Sequence, residues 1–186
     1  MLPLTAYRHF GLISFLILLV GLVFVIVKWP HGRRMTFSQH VAMQKSSIYY
    51  YIILFSIVLP LLLLFFIYWF TPIFHLPIWF NVFVTIAAIA QYICTIIPEI
   101  DGWKAKYHRI LAGISGIFLI PPLVILLSSH YISDTSKIII LLGLFCMITV
   151  VFTLIAGKAK QYEPSYIHQS AYYCAFFIPI LAANYL

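Results

Sequence analysis

Seven side chains able to hold a metal, a phosphate or a proton cluster near the ends of apolar stretches: Ser38, His40, Glu99, Asp101, His108, Glu163 and His168, with Arg109 beside them. If His40, His108 and His168 converged on one ion, they would leave an open fourth position, as in a catalytic zinc site. The same groups can instead hold a lipid headgroup. They can also simply line a membrane interface as capping carboxylates, snorkelling bases and wetted histidines. Spacing does not choose among these, because no HxxxH, HExxH or HxxEH occurs. Ser38 and His40 are two apart and project about 200° from one another on a helix, so they form no local dyad. GxSxG and glycine-rich phosphate loops are also missing.

The elements that must position these residues are read from hydropathy. Apolar residues make up 64% of the chain and charged ones 8%, against roughly 25% charged in a soluble domain. A bilayer core needs about 20 helical residues to cross it. The apolar runs therefore predict an all-α polytopic membrane protein with six spans, at about 10–28, 48–70, 78–97, 103–128, 137–156 and 165–185. Short loops leave residues 1–186 as one domain. The run from Phe10 to Val27 is longer than a signal h-region, lacks a small-x-small site and is followed by Lys28, Arg33 and Arg34, so it is read as a retained span. Cys94, Cys146 and Cys174 lie inside apolar runs and read as core filler.

Charge sets the orientation. Lys28, Arg33, Arg34, Lys45, Lys104, Lys106, Arg109, Lys158 and Lys160 fall on one side of the predicted bundle, and Arg8 and Lys137 on the other. The positive-inside bias makes the first side cytoplasmic and both termini external. Trp29, Trp103, Tyr49 to Tyr51 and Tyr107 then mark the inner interface, and Trp69 and Trp79 the outer one. Since the net charge of +7 sits at membrane edges, nucleic acid is not an expected partner. A plasma or inner membrane is the expected location.

Smaller signals refine this. Pro60, Pro121, Pro122 and Pro179 bend their spans. Ala87, Ala88 and Ala90 in the third span, and Ala112, Gly113, Ser115 and Gly116 in the fourth, predict a close hairpin between the two. Thr36 and Gln39 fit a capping box. It opens a short amphipathic segment through Phe37, Val41 and Ala42, lying on the cytoplasmic surface or extending the second span. Asp101 and Glu163-Pro164 are expected to cap the fourth and sixth spans. Asn81, Thr85 and Gln91 are expected to hydrogen-bond between helices. No acid or base lies mid-span, which argues against proton-coupled transport, voltage sensing, a charged filter and a retinal Schiff base. The histidines sit at helix ends, so bis-histidine haem ligation is not expected either.

The chain order is a first span, a loop with Ser38-x-His40, and a third span ending in an acidic loop. A fourth span then opens with His108-Arg109-x-Leu111-Ala112, and Glu163 precedes the sixth. This resembles the small six-helix membrane proteins of the DRAM-like and Sfk-like group. The resemblance implies a lipid-related or membrane-organising role without enzyme chemistry. A second likeness is to membrane hydrolases of the alkaline ceramidase type, and it implies Ser38, Asp101, His40, His108 and His168 around a zinc ion. The final-helix pair of histidines four apart that those hydrolases carry does not occur in this chain.

The reading is therefore a non-catalytic, N-out/C-out bundle needing no cofactor. It would have a polar, basic-rimmed pocket on the cytoplasmic side, built from Ser38, His40, Glu99, Asp101, His108, Arg109, Glu163 and His168. That pocket would bind lipid headgroups or a partner membrane protein, with a homo-oligomer also open. The alternative is a zinc-dependent hydrolase acting on a lipid.

Overall fold

The computed structural model describes residues 4–30, 35–100, 102–159 and 166–186. Among them the regular structure is entirely helical: α1 (Leu4–Tyr7), α2 (Phe10–Lys28), α3 (Phe37–Ala42), α4 (Lys45–Phe65), a π-helical turn (Phe66–Phe70), α5 (Thr71–Ile73), α6 (Ile78–Ile96), α7 (Trp103–Leu127), α8 (Asp134–Ala159) and α9 (Tyr166–Tyr185). Five stretches are long and apolar enough to cross a membrane: Thr5–Lys28, Lys45–Ile73, Ile78–Ile96, Trp103–Leu127 and Asp134–Thr153. Helix α9 has 20 residues, but His168, Gln169 and Ser170 make its first turns polar. The second stretch is longer than its apolar run suggested, because α4 continues through the π turn into α5. That wider turn precedes Pro72, whose ring would crowd the carbonyl four residues back in a regular helix.

Helices pack as sequential pairs: α2 with α4, α6 with α7, and α8 with α9. Glycines set the closest approaches. A Cβ at Gly21 would fall 2.5 Å from Leu54 Cδ1, and one at Gly143 would fall 2.5 Å from the Ala175 carbonyl oxygen. Without a bilayer-driven hydrophobic force between helices, such close backbone contact supplies the attraction.

The expected α6–α7 hairpin forms, yet its small residues do not all serve it. Ala87, Ala88 and Ala90 are buried, and Ser115 reaches Gln91 of α6 at 3.4 Å. A Cβ at Gly113 would meet nothing within 4 Å, and one at Gly116 would meet only Tyr172 of α9. These two glycines face a gap between the α6–α7 and α8–α9 hairpins.

Polar contacts gather at both ends of the bundle. At one end Arg8 Nη2 donates to Asn184 O (3.2 Å), Trp69 Nε1 to Asn184 Oδ1 (2.7 Å), and Thr71 Oγ1 to Asn81 Oδ1 (2.8 Å). The stretch that opens at α1 thus returns beside the end of α9. Around the π turn, Phe65, Phe66, Phe70, Phe80 and Phe176 form a fully buried aromatic core. The opposite end carries Lys28, Lys45, Lys104, Lys106 and Arg109, all exposed, together with α3.

Helix α3 corrects one expectation. It does not lie on a surface with one face wetted, since Phe37, Ser38, His40 and Val41 are all buried. The short helix is wedged into the basic end of the bundle, packed on α2 and α4. Its polar side chains are buried because each finds a partner there, Ser38 at Glu99 and His40 at the Trp29 carbonyl.

Candidate functional site

Helix α3 is fixed locally before it meets the site. Gln39 N donates to Thr36 Oγ1 (3.2 Å) and Thr36 N to Gln39 Oε1 (2.9 Å), completing the predicted capping box. Phe37 N, another of the amides that a helix start leaves unpaired, donates to Gln169 Oε1 of α9 at 2.8 Å. Tyr166 N donates to Met35 O at 2.9 Å. Ser47 Oγ lies 2.6 Å from Val41 O and closes the turn into α4.

This wedge delivers two hydroxyls to one carboxylate. Thr36 Oγ1 and Ser38 Oγ each lie 3.1 Å from Glu99 Oε2, and Arg109 Nε donates to Glu99 Oε1 at 2.9 Å. The Glu99 side chain is 6% exposed while that of Arg109 is 68% exposed. Glu99 sits in the α6–α7 loop, so it caps no helix; it joins α3 to the first turns of α7.

His108 stands next to this group, with Nε2 4.0 Å from Glu99 Oε2. Its Nδ1 is 2.6 Å from Ile97 O. A carbonyl only accepts, so Nδ1 carries a proton. Cys94 Sγ lies 3.3 Å from Nε2 and 3.5 Å from Nδ1. Such nearly equal distances put the sulfur against the ring, out of line with either nitrogen. The N-cap of α7 is Gly102, whose φ of +78° favours glycine, and not the expected Asp101.

These side chains open onto a cavity of about 390 Å³. Thr36, Ser38, Glu99, Arg109, His168 and Gln169 line its polar end. From there it runs along Ala112, Gly113 and Gly116 of α7, facing Val150 and Val151 of α8, with Tyr51, Gln91, Tyr172 and Tyr173 inside.

Ser38, Glu99, His108, Arg109 and His168 are therefore brought to one cavity. His40 is not among its lining residues. Its Nδ1 is 3.4 Å from Trp29 O, and its ring meets Tyr166 edge-on with centroids 6.0 Å apart. Helical geometry requires this, since turning Ser38 toward Glu99 turns His40 away. Among the described residues no three His, Cys, Asp or Glu are placed to share a metal ion. The zinc arrangement of His40, His108 and His168 is thus not formed by them. Asp101 and Glu163 lie outside the described residues.

Several lining residues carried no functional signal in the sequence. Tyr51 reads there as part of an interfacial Tyr49–Tyr51 run, but Tyr49 is 67% exposed and Tyr51 only 4%. The spacing of Tyr51 with Leu54, Phe55 and Val58, all buried, is the inward stripe that separates it from its neighbours. Thr36 and Gln169 gave no comparable signal. Cys94, which reads as core filler, is buried as expected but also borders the cavity. Comparison with protein-family models, curated proteins and solved structures gives no match.

Proposed function

We propose that the chain is a six-pass membrane protein with both termini outside, whose cavity holds an anionic lipid headgroup at its cytoplasmic mouth and does no chemistry on it. Two observations support the pass number. Helix α9, at 20 residues, is about 30 Å long, enough for a bilayer core. The Arg8–Asn184 contact puts the start of the first span beside the end of α9, which an odd number of crossings would not do. The basic residues at the opposite end favour the cytosol for that end.

The observation that carries the binding reading is the Arg109–Glu99 pair at the polar end of the cavity. The carboxylate is answered internally by Arg109, Thr36 and Ser38, so an incoming anion does not meet a bare negative charge. Only Nε of the guanidinium is engaged among the described residues, and the side chain is mostly exposed. Its outer edge suits a phosphate, and the exposed Lys104 and Lys106 stand within about a turn and a half on α7. Each basic residue near an anionic leaflet contributes about 1 kcal/mol.

Native mass spectrometry of the detergent-purified protein tests this. The expected result is retention of phosphatidylglycerol over phosphatidylcholine, with Arg109→Ala reducing the preference. Equal retention of the two lipids would remove the reading.

A further inference from the structure

Below its charged mouth the cavity has features that a headgroup alone does not use. Tyr51 is 4% exposed, lines the cavity, and its hydroxyl makes no hydrogen bond among the described residues. A hydroxyl that faces a cavity and has no protein partner is placed for a ligand or water. Gln91 is beside it in the lining, and only its Oε1 is engaged there, by Ser115 at 3.4 Å.

Past these polar groups the wall turns apolar. Gly113 leaves the α7 backbone bare toward the cavity, opposite Val150 and Val151 of α8, and one turn on the Gly116 carbonyl accepts from the Tyr172 hydroxyl. From Arg109 to Leu119, both lining residues, the α7 wall is roughly 15 Å long at 1.5 Å per residue. The volume of about 390 Å³ is near the lower end of the roughly 300–1,000 Å³ typical of small-molecule pockets.

We propose that the occupant is a single-chain anionic lipid carrying a hydroxyl or carbonyl just below its phosphate, the chemistry of a lysophospholipid. Its hydroxyl or carbonyl bonds Tyr51 and Gln91, and its one acyl chain lies along Gly113 and Gly116 between α7 and α8. This rests on the headgroup reading and goes beyond it by fixing chain number and the depth of the polar backbone. A two-chain lipid would leave one chain outside the groove.

The experiment compares lysophosphatidylglycerol with two-chain phosphatidylglycerol by native mass spectrometry, in wild type, Gly113→Phe and Tyr51→Phe. Gly113→Phe fills the groove where a Cβ meets open space, and Gly113→Leu repeats the test if Phe lowers the melting temperature. The one-chain lipid is expected to be retained several-fold better than the two-chain one. Gly113→Phe should cut its retention about tenfold, equivalent to about 1.4 kcal/mol. Tyr51→Phe should cut it about two- to tenfold, as loss of one hydrogen bond does. Equal retention of both lipids, or unchanged retention in Gly113→Phe, would overturn this inference while leaving the headgroup reading in place. Retention of neither anionic lipid would remove both.

Discussion

Arg109 Nε and Glu99 Oε1 lie 2.9 Å apart, and the bond joins a side chain that is 68% exposed to one that is 6% exposed. The asymmetry decides what each partner does. Water screens the guanidinium, so the pair gives little of the energy expected for a fully buried one. The carboxylate is withdrawn from water, and its oxygens are answered by Arg109 and by the Thr36 and Ser38 hydroxyls.

Removing either partner should therefore have unequal effects. Arg109→Ala strands a buried charge and is expected to cost about 1–2 kcal/mol after allowance for the exposure of Arg109. Glu99→Gln keeps the shape and an acceptor and should cost less. Combining the two should recover part of the Arg109→Ala loss, with a coupling of about 1 kcal/mol. Thermal melts of the four proteins in one detergent measure this; additive losses would show the pair to be uncoupled.

Helix α3 gives a second test, because Thr36 both caps the helix and donates toward Glu99. Thr36→Ala should cost about 1–2 kcal/mol, the upper part of the range for an N-cap. Gln39→Ala loses only the reciprocal bond to Thr36 N and should cost about half as much. Thr36→Ser keeps both roles and should melt close to wild type.

The same helix marks the limit of what the sequence could tell. Its start was legible, because the capping box is a local bond pattern between residues three apart. Its burial was not. Phe37 and Val41 read as the greasy stripe of a surface helix, with Ser38 and His40 near the headgroups on different sides of it. These two polar side chains are buried because Glu99, 61 residues from Ser38, and the Trp29 carbonyl lie within reach. The long apolar helices were legible since length and hydropathy suffice. Helix α9 falls outside the five clear candidates because His168, Gln169 and Ser170 lower the hydropathy of its first turns. Ser38, Glu99, His108, Arg109 and His168 could be named from their types, but that His40 turns away could be read only from the shared helix with Ser38.

Orientation is checked by cysteine accessibility in a background lacking Cys94, Cys146 and Cys174. Lys104 is exposed at the basic end, and the Asp134 side chain at the other end is 98% exposed. A membrane-impermeant maleimide applied to intact cells should label Asp134→Cys at once. Lys104→Cys should be labelled only after permeabilisation. The reverse pattern would put the cavity mouth outside the cell.

The two glycines of the cavity-side hairpins should respond in opposite ways to a single methyl group. At Gly143 a Cβ would lie 2.5 Å from both the Ala175 carbonyl oxygen and Pro179 Cγ. The first is backbone and the second a rigid ring, so neither can rotate clear. Helices α8 and α9 would have to separate, and overpacking of this kind costs about 1–3 kcal/mol. At Gly113 the same Cβ meets open space, and alanine is the better helix former by about 1 kcal/mol in water. Gly143→Ala is therefore expected to melt several degrees below wild type, and Gly113→Ala at or slightly above it, in thermal melts followed by size-exclusion chromatography. A Gly143→Ala protein as stable as wild type would mean that α8 and α9 do not approach as closely as the Ala175 contact requires.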